Sequence, residues 1–193
     1  MMRRIGAAAA ALVLAGTVLG AGATTAGAAP TAASRATTCP TGWGSGTKGG
    51  VAAGAVPLED IRTGRHDCFD RMVFDVPGGG GHIGYYIRYV DRLHQDGSGR
   101  YIPVAGGAVL EIRVAAPSYE PESGAPAYPG RVARPLPGVD IGGYRTFRDT
   151  RFAGSFEGET QIGLGVRARL PFRVIQLPDR LVLDVAHSWT SRR

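Results

Sequence analysis

One seven-residue phrase occurs twice in this chain, and it restricts the fold more than any other feature. Asp70-Arg-Met-Val-Phe-Asp-Val76 returns as Asp179-Arg-Leu-Val-Leu-Asp-Val185, with five of seven positions identical. Read as a strand, each copy places Met72, Phe74 and Val76, or Leu181, Leu183 and Val185, on one face. The opposite face carries Arg71, Val73 and Asp75, or Arg180, Val182 and Asp184, with Arg and Asp spaced to pair with neighbouring strands. A phrase of this kind at each end of a domain predicts an internally duplicated sheet with matched central or corner strands.

The rest of the chain follows the same period of two. Gln161 to Val185 reads as three half-buried antiparallel strands separated by turns at Pro171 and Pro178. Leu58–Arg62 reads as a first strand, Gly64–Asp67 as a turn, Tyr85–Val90 as a β-rich run and Tyr101–Val104 as a short strand. Gln95–Gly99 reads as a turn between them. Val109–Val114 alternates strictly, which sends Leu110, Ile112 and Val114 inward and Glu111 and Arg113 outward. Tyr144–Arg148 is a further strand, and Phe152–Phe156 continues it or bulges at Gly154. Residues 115–138 contain six prolines and read as a long extended loop, of the length that is usually functional or disordered. Helical periodicity is nearly absent after the N-terminus. The predicted class is all-β, a sandwich or flattened barrel of two small sheets.

The N-terminus has another purpose. Arg3-Arg4, an apolar run from Ala7 to Leu19 and small residues up to Ala29 form a secretory signal peptide over residues 1–29, too short in its apolar core to span a bilayer. Residues 30–55, rich in Gly, Ala and Thr, read as an arm or linker, 56–189 as the folded domain and 190–193 as a tail. An exported chain with two cysteines, Cys39 and Cys68, is expected to join them. The closed loop would contribute roughly 3–4 kcal/mol in the chain-entropy model and staple the arm to the first core strand. Loss of the signal peptide lowers the Lys and Arg count from 22 to 20 against 16 Asp and Glu, and Lys48 is the only lysine. That modest excess suits anionic wall polymers or membrane surfaces better than nucleic acid, and it equally suits scattered surface charge that keeps a domain soluble.

Catalytic constellations are hard to find. His66, His82, His94 and His187 are widely spaced and lack the local spacing of zinc ligands. Ser98 and Ser155 fit no nucleophile elbow. Glu157 and Glu159 stand two apart, a spacing that permits a glycosidase pair, but their Ser-Phe-Glu-Gly-Glu-Thr setting is that of solvated side chains. Neither a metal nor a cofactor is expected. Aromatic and arginine residues are the stronger signal, since ring faces and guanidinium forks hold sugars, peptides and acidic polymers without a reaction. Candidate ligand contacts are Tyr85, Tyr86, Arg88, Tyr119, Tyr128, Tyr144 and Arg145. The same tyrosines also suit packing, with hydroxyls at the rim. Trp43 is either a docking aromatic or an arm residue packed near the disulfide.

The run from Gly163 through Leu-Pro-Phe-Arg-Val-Ile-Gln-Leu-Pro-Asp-Arg-Leu-Val-Leu-Asp-Val-Ala to His187 resembles the AMIN domain. Together with His66–Gly78 and Gly154–Gly158, it is similar to the AMIN-like proteins exported by actinobacteria, over about residues 56–189. The resemblance implies a symmetric sandwich of two small sheets. It also implies a non-catalytic module associated with peptidoglycan, because AMIN domains accompany cell-wall amidases and secretins. It supplies no catalytic residues. The expected function is an exported binding module for peptidoglycan or another wall polymer. The alternatives are an envelope protein–protein module that pairs β-strands, and a small secreted hydrolase.

Overall fold

The two copies of the repeated phrase lie side by side. The computed structural model describes residues 39, 42–51 and 56–189; the signal peptide, most of the arm and the 190–193 tail lie outside the described residues. Among these, eleven strands form: β1 (Lys48–Gly50), β2 (Asp60–Arg65), β3 (Phe69–Asp75), β4 (Tyr85–Val90), β5 (Leu93–His94), β6 (Tyr101–Ile102), β7 (Ala108–Val114), β8 (Phe147–Phe156), β9 (Glu159–Val166), β10 (Phe172–Leu177) and β11 (Arg180–Ala186). They assemble into a five-stranded sheet ordered β1-β4-β7-β9-β8, a four-stranded sheet ordered β10-β11-β3-β2, and the β5–β6 hairpin. The sheets pack as a sandwich and do not close into a barrel.

Antiparallel pairing of β3 with β11 sets Val73 opposite Val182, Arg71 opposite Asp184 and Asp75 opposite Arg180. The pairing is self-complementary: about an axis through the central valines, position two of each copy meets position six of the other. The hairpins β2–β3 and β10–β11 thus form one sheet with approximate two-fold symmetry. Met72, Phe74, Leu181, Leu183 and Val185 face a core shared with Ile87, Leu110, Ile112, Ile162 and Leu164 of the larger sheet, all essentially sealed from solvent. Each such side chain contributes roughly 1.5–3 kcal/mol by leaving water.

The structure departs from the sequence pattern where side chains or neighbouring segments override it. Gly64 and Arg65 belong to β2, which begins at Asp60 rather than Leu58; the reversal falls later, closed by His66 N–H donating to the Phe69 carbonyl at 3.0 Å. Tyr144 and Arg145 precede β8 rather than opening it. The buried Asp70 carboxylate takes the N–H groups of Thr146 (2.5 Å) and Phe147 (3.3 Å), which fixes the chain just before the strand pairs. Glu111 is not an outward residue, being 4% exposed. The β5–β6 hairpin and the segment after it lie over that face of the sheet, and Leu93, Ile102 and Ala153 form a second, smaller core there. For the same reason β9 is buried on both faces rather than one. Gly163 and Gly165 permit the cover, because a Cβ at Gly163 would strike the Leu93 side chain and one at Gly165 the Ala105 carbonyl.

The arm has a larger role than a linker. Cys39 and Cys68 form the disulfide. Beyond it, the Gly44 carbonyl accepts from Phe172 N–H of β10, and β1 pairs with β4. One short segment therefore touches an edge of each sheet and bridges the open side of the sandwich.

Candidate functional site

The outer face of the four-stranded sheet carries the repeated Arg and Asp side chains, and the register pairs them across strands. Asp184, whose side chain is completely buried, accepts from Arg71 Nε (2.6 Å) and Nη2 (2.9 Å) and from Arg173 Nε (2.8 Å). Asp75 accepts from Arg62 Nε (2.5 Å) and Nη2 (2.8 Å) and from Arg180 Nε (2.8 Å). Each carboxylate thus holds two guanidinium groups, one from its own hairpin and one from the other copy. Each Arg–Asp–Arg triad keeps one net positive charge. The hydrogen bond from Arg62, followed by the charges of Arg62 and Arg180, holds the Asp75 carboxyl below its ordinary range against the cost of its burial. Hydrogen bonding to Asp184 likewise raises the Arg71 guanidinium above its usual value.

Aromatic rings gather at the Asp184 end. The Arg173 guanidinium lies 4.4 Å from the centre of the Trp43 ring and 5.4 Å from that of Phe69. Arg71 sits 5.2 Å over Phe69, and His66 stacks on Phe69 at 4.5 Å. Cation–π contact and the bidentate fork hold these guanidinium planes in place. Arg173 uses only Nε on Asp184, so its outer N–H groups point away from that carboxylate. The result is a rigid, cationic, half-exposed platform of two guanidinium groups and two or three rings, suited to acceptor-rich ligands such as sugars and carboxylates.

The sequence-chosen contacts do not join it, nor do they form one site. Tyr85 and Tyr86 line a cleft of about 350 Å³ with Gly49, Gly50 and Glu159. Tyr86 is exposed under the Arg88 guanidinium at 5.5 Å, while Arg88 donates to Glu111 at 2.8 Å. Tyr119 and Tyr128 line a second cleft of about 420 Å³ in the proline-rich loop. Tyr128 is 3% exposed and anchors that loop, donating its hydroxyl to the Pro137 carbonyl at 3.1 Å; burial raises its phenol well above the ordinary value. Tyr144 stacks on Phe147 at 5.5 Å, and Arg145 reaches the Asp67 carbonyl at 3.4 Å.

The residues weighed for hydrolysis are likewise dispersed. Glu157 sits at the exposed tip of the β8–β9 hairpin, where positive φ at Glu157 (50°) and Gly158 (81°) makes a tight turn, and Glu159 follows it in β9. Ser155 donates to the Glu159 carbonyl and accepts from Ser118 N–H, and Ser98 caps the Gln95 turn. His187 is buried against Asp70, while His94 meets the Gly99 carbonyl. Among the described residues no group of three or more His, Cys, Asp or Glu is placed to hold a metal ion.

Sequence reasoning gave the four repeat residues a structural part and did not place Arg173, Arg62, Phe69 or Trp43 beside them. The alternation of Arg173 with Phe172 was the available signal, but only the register shows that Arg173 faces Asp184.

Fold and surface together define a two-sheet all-β module with a preorganised arginine–aromatic face. The chain belongs to the AMIN-like domain family, whose profile matches residues 56–187. Domains of this family are generally non-catalytic, extracytoplasmic binding modules with a cell-wall-related role. No curated protein and no solved structure matches the chain. Among the described residues, no helix is long and apolar enough to cross a membrane.

Proposed function

We propose that this domain is an exported, non-catalytic module that holds peptidoglycan or another wall polymer on the outer face of its four-stranded sheet. The platform of Trp43, Phe69, Arg71 and Arg173 supports the reading most directly. It combines ring faces for sugar stacking with fixed guanidinium donors for hydroxyl and carboxylate groups. In this reading residues 1–29 direct export, and the disulfide secures the arm that carries Trp43. Tyr86 and Arg88, exposed or half-exposed on the larger sheet, are a secondary contact for an extended polymer.

Sedimentation with purified cell walls tests the reading. The protein is expected in the pellet in a salt-sensitive manner, and Trp43→Ala and Arg173→Gln should each lower retention about tenfold, a loss of roughly 1.4 kcal/mol. Equal retention of both variants, with unchanged folding, would remove this face as the binding surface.

A second reading has one observation in its favour. β10 is an edge strand whose Leu177 is 41% exposed, so a partner strand could extend the sheet there. Crosslinking from a residue placed at Leu177 is expected to return a single envelope partner in that case.

A further inference from the structure

Beside the β4–β7 pair lies a cleft of about 370 Å³ lined by Tyr89, Asp91, Gly106, Gly107 and Arg169. That volume falls within the range of small-molecule sites, roughly 300–1,000 Å³. Both of its charged residues are exposed, and Arg169 is held in place by its neighbours.

Arg169 is held on three sides. Its Nε donates to Ser45 Oγ at 3.2 Å, its Nη2 to the Ser45 carbonyl at 3.3 Å, and its guanidinium lies 5.0 Å over the Tyr89 ring. Tyr89 is itself fixed: its hydroxyl donates to the Leu170 carbonyl at 2.8 Å and accepts from Leu170 N–H at 2.9 Å. Burial pushes that phenol up to about 12, so it stays protonated and keeps both bonds at neutral pH. Arg169 Nη1 has no acceptor among the described residues. Asp91 lines the same cleft, and its carboxylate has neither a hydrogen-bond donor nor an ion-pair partner among them. The two opposite charges therefore share one cleft without pairing with each other.

The backbone of Gly106 and Gly107 forms part of the cleft wall, with Val90, Val104, Ala108 and Val109. Gly106 and Gly107 are drawn against the Val166 and Arg167 carbonyls so closely that a Cβ at either would collide, which seats this wall tightly on β9. A cation and an anion that line one cleft without pairing match a small ligand that itself carries both charges.

We propose that this cleft binds a zwitterion of the amino-acid or short-peptide class, its carboxylate on Arg169 and its ammonium on Asp91. The two contacts exchange solvation water for charge-assisted hydrogen bonds, and Arg169 is already ordered before the ligand arrives. The proposal does not rest on the wall-polymer reading, whose platform of Trp43, Phe69, Arg71 and Arg173 and secondary contacts Tyr86 and Arg88 include none of these residues.

Glycine, glycylglycine and triglycine, which are achiral and differ only in the separation of their charges, are suitable probes for titration of the full chain by amide NMR. At least one is expected to shift the resonances of Tyr89, Asp91, Ala108 and Arg169 at millimolar concentration. N-acetylation or C-terminal amidation of that probe should each weaken it about tenfold. Asp91→Asn should abolish the discrimination against the acetylated probe alone, and Arg169→Gln that against the amidated probe alone. An unchanged spectrum for the rest of the domain establishes that each variant folds. Capped and free probes binding alike, or no shifts at the cleft with all three, would overturn the proposal.

Discussion

Arg71 and Asp184 lie 113 residues apart in sequence yet face each other across the centre of one sheet, joined by hydrogen bonds of 2.6 and 2.9 Å. Asp184 is fully buried while its two arginines are about a third exposed. Removing the carboxylate leaves two confined guanidinium groups without their shared anion. Asp184→Asn is therefore expected to cost about 2–3 kcal/mol, somewhat below the usual range for a broken buried pair because water still reaches the arginines. Asp75→Asn, at the more exposed triad, is expected to cost about 1 kcal/mol or less. Urea unfolding of both variants checks the order, and an Asp75 effect equal to or larger than that of Asp184 would contradict it.

Two carboxyl groups set the acid limb of stability. Hydrogen bonding by Arg62 holds Asp75 below its ordinary value of 3.8. Burial pushes Glu111 up, but hydrogen bonds from Arg88 and Gln161 and the charges of Arg113 and Arg88 outweigh it and leave the group below 4.5. A carboxyl whose pKa is lower in the folded state than in the unfolded one contributes its stability above the unfolded value. That contribution is lost as pH falls through the folded value. Stability should thus be level above about pH 5 and decline below about pH 4. Arg62→Gln and Arg88→Gln should each flatten that decline in thermal melts taken from neutral to acid pH; an unchanged acid slope in both would refute the assignment.

The Cys39–Cys68 bridge closes a separation of 29 residues. Reduction, or Cys39→Ser with Cys68→Ser, is expected to lower stability by roughly 3–4 kcal/mol. In a domain of this size that corresponds to a fall in Tm of about 10 °C. Because the bridged arm also contacts β10 and β4, amide exchange in both strands should speed up. A melting curve indifferent to reductant would show that the arm is held without the bridge.

The cover over β9 gives a graded test. At Gly163 a new methyl group meets the flexible Leu93 side chain, whereas at Gly165 it meets the backbone carbonyl of Ala105, which cannot turn aside. Gly163→Ala should cost about 1 kcal/mol and Gly165→Ala about 3 kcal/mol, and the second should expose the β5–β6 hairpin to protease. Equal effects would mean that the covering segment yields as a unit.

Alternation and turn residues were enough to read most of this sheet system, because period two is a local property. The strands β4, β7, β9, β10 and β11 stand close to where the pattern puts them. What failed were the features decided by contacts remote in sequence. Nothing near Glu111 reveals that residues 93–105 fold back over it, and nothing near Tyr144 reveals that Asp70 captures the next two amides. The repeated phrase was visible, as was its suitability for cross-strand pairing. Its partner was not, since adjacency of the two copies depends on the order β11-β3 within the sheet. The candidate face was hidden for the same reason: Trp43, Phe69 and Arg173 come from three separate stretches, and register alone unites them. The tyrosines are conspicuous in sequence, yet several are rooted in packing, Tyr128 most of all.

A phrase with arginine second and aspartate sixth among seven is its own counterpart when one copy is turned end for end. Aligning the two central valines therefore sets both Arg–Asp pairs at once, and a slip of β11 along β3 would break both together.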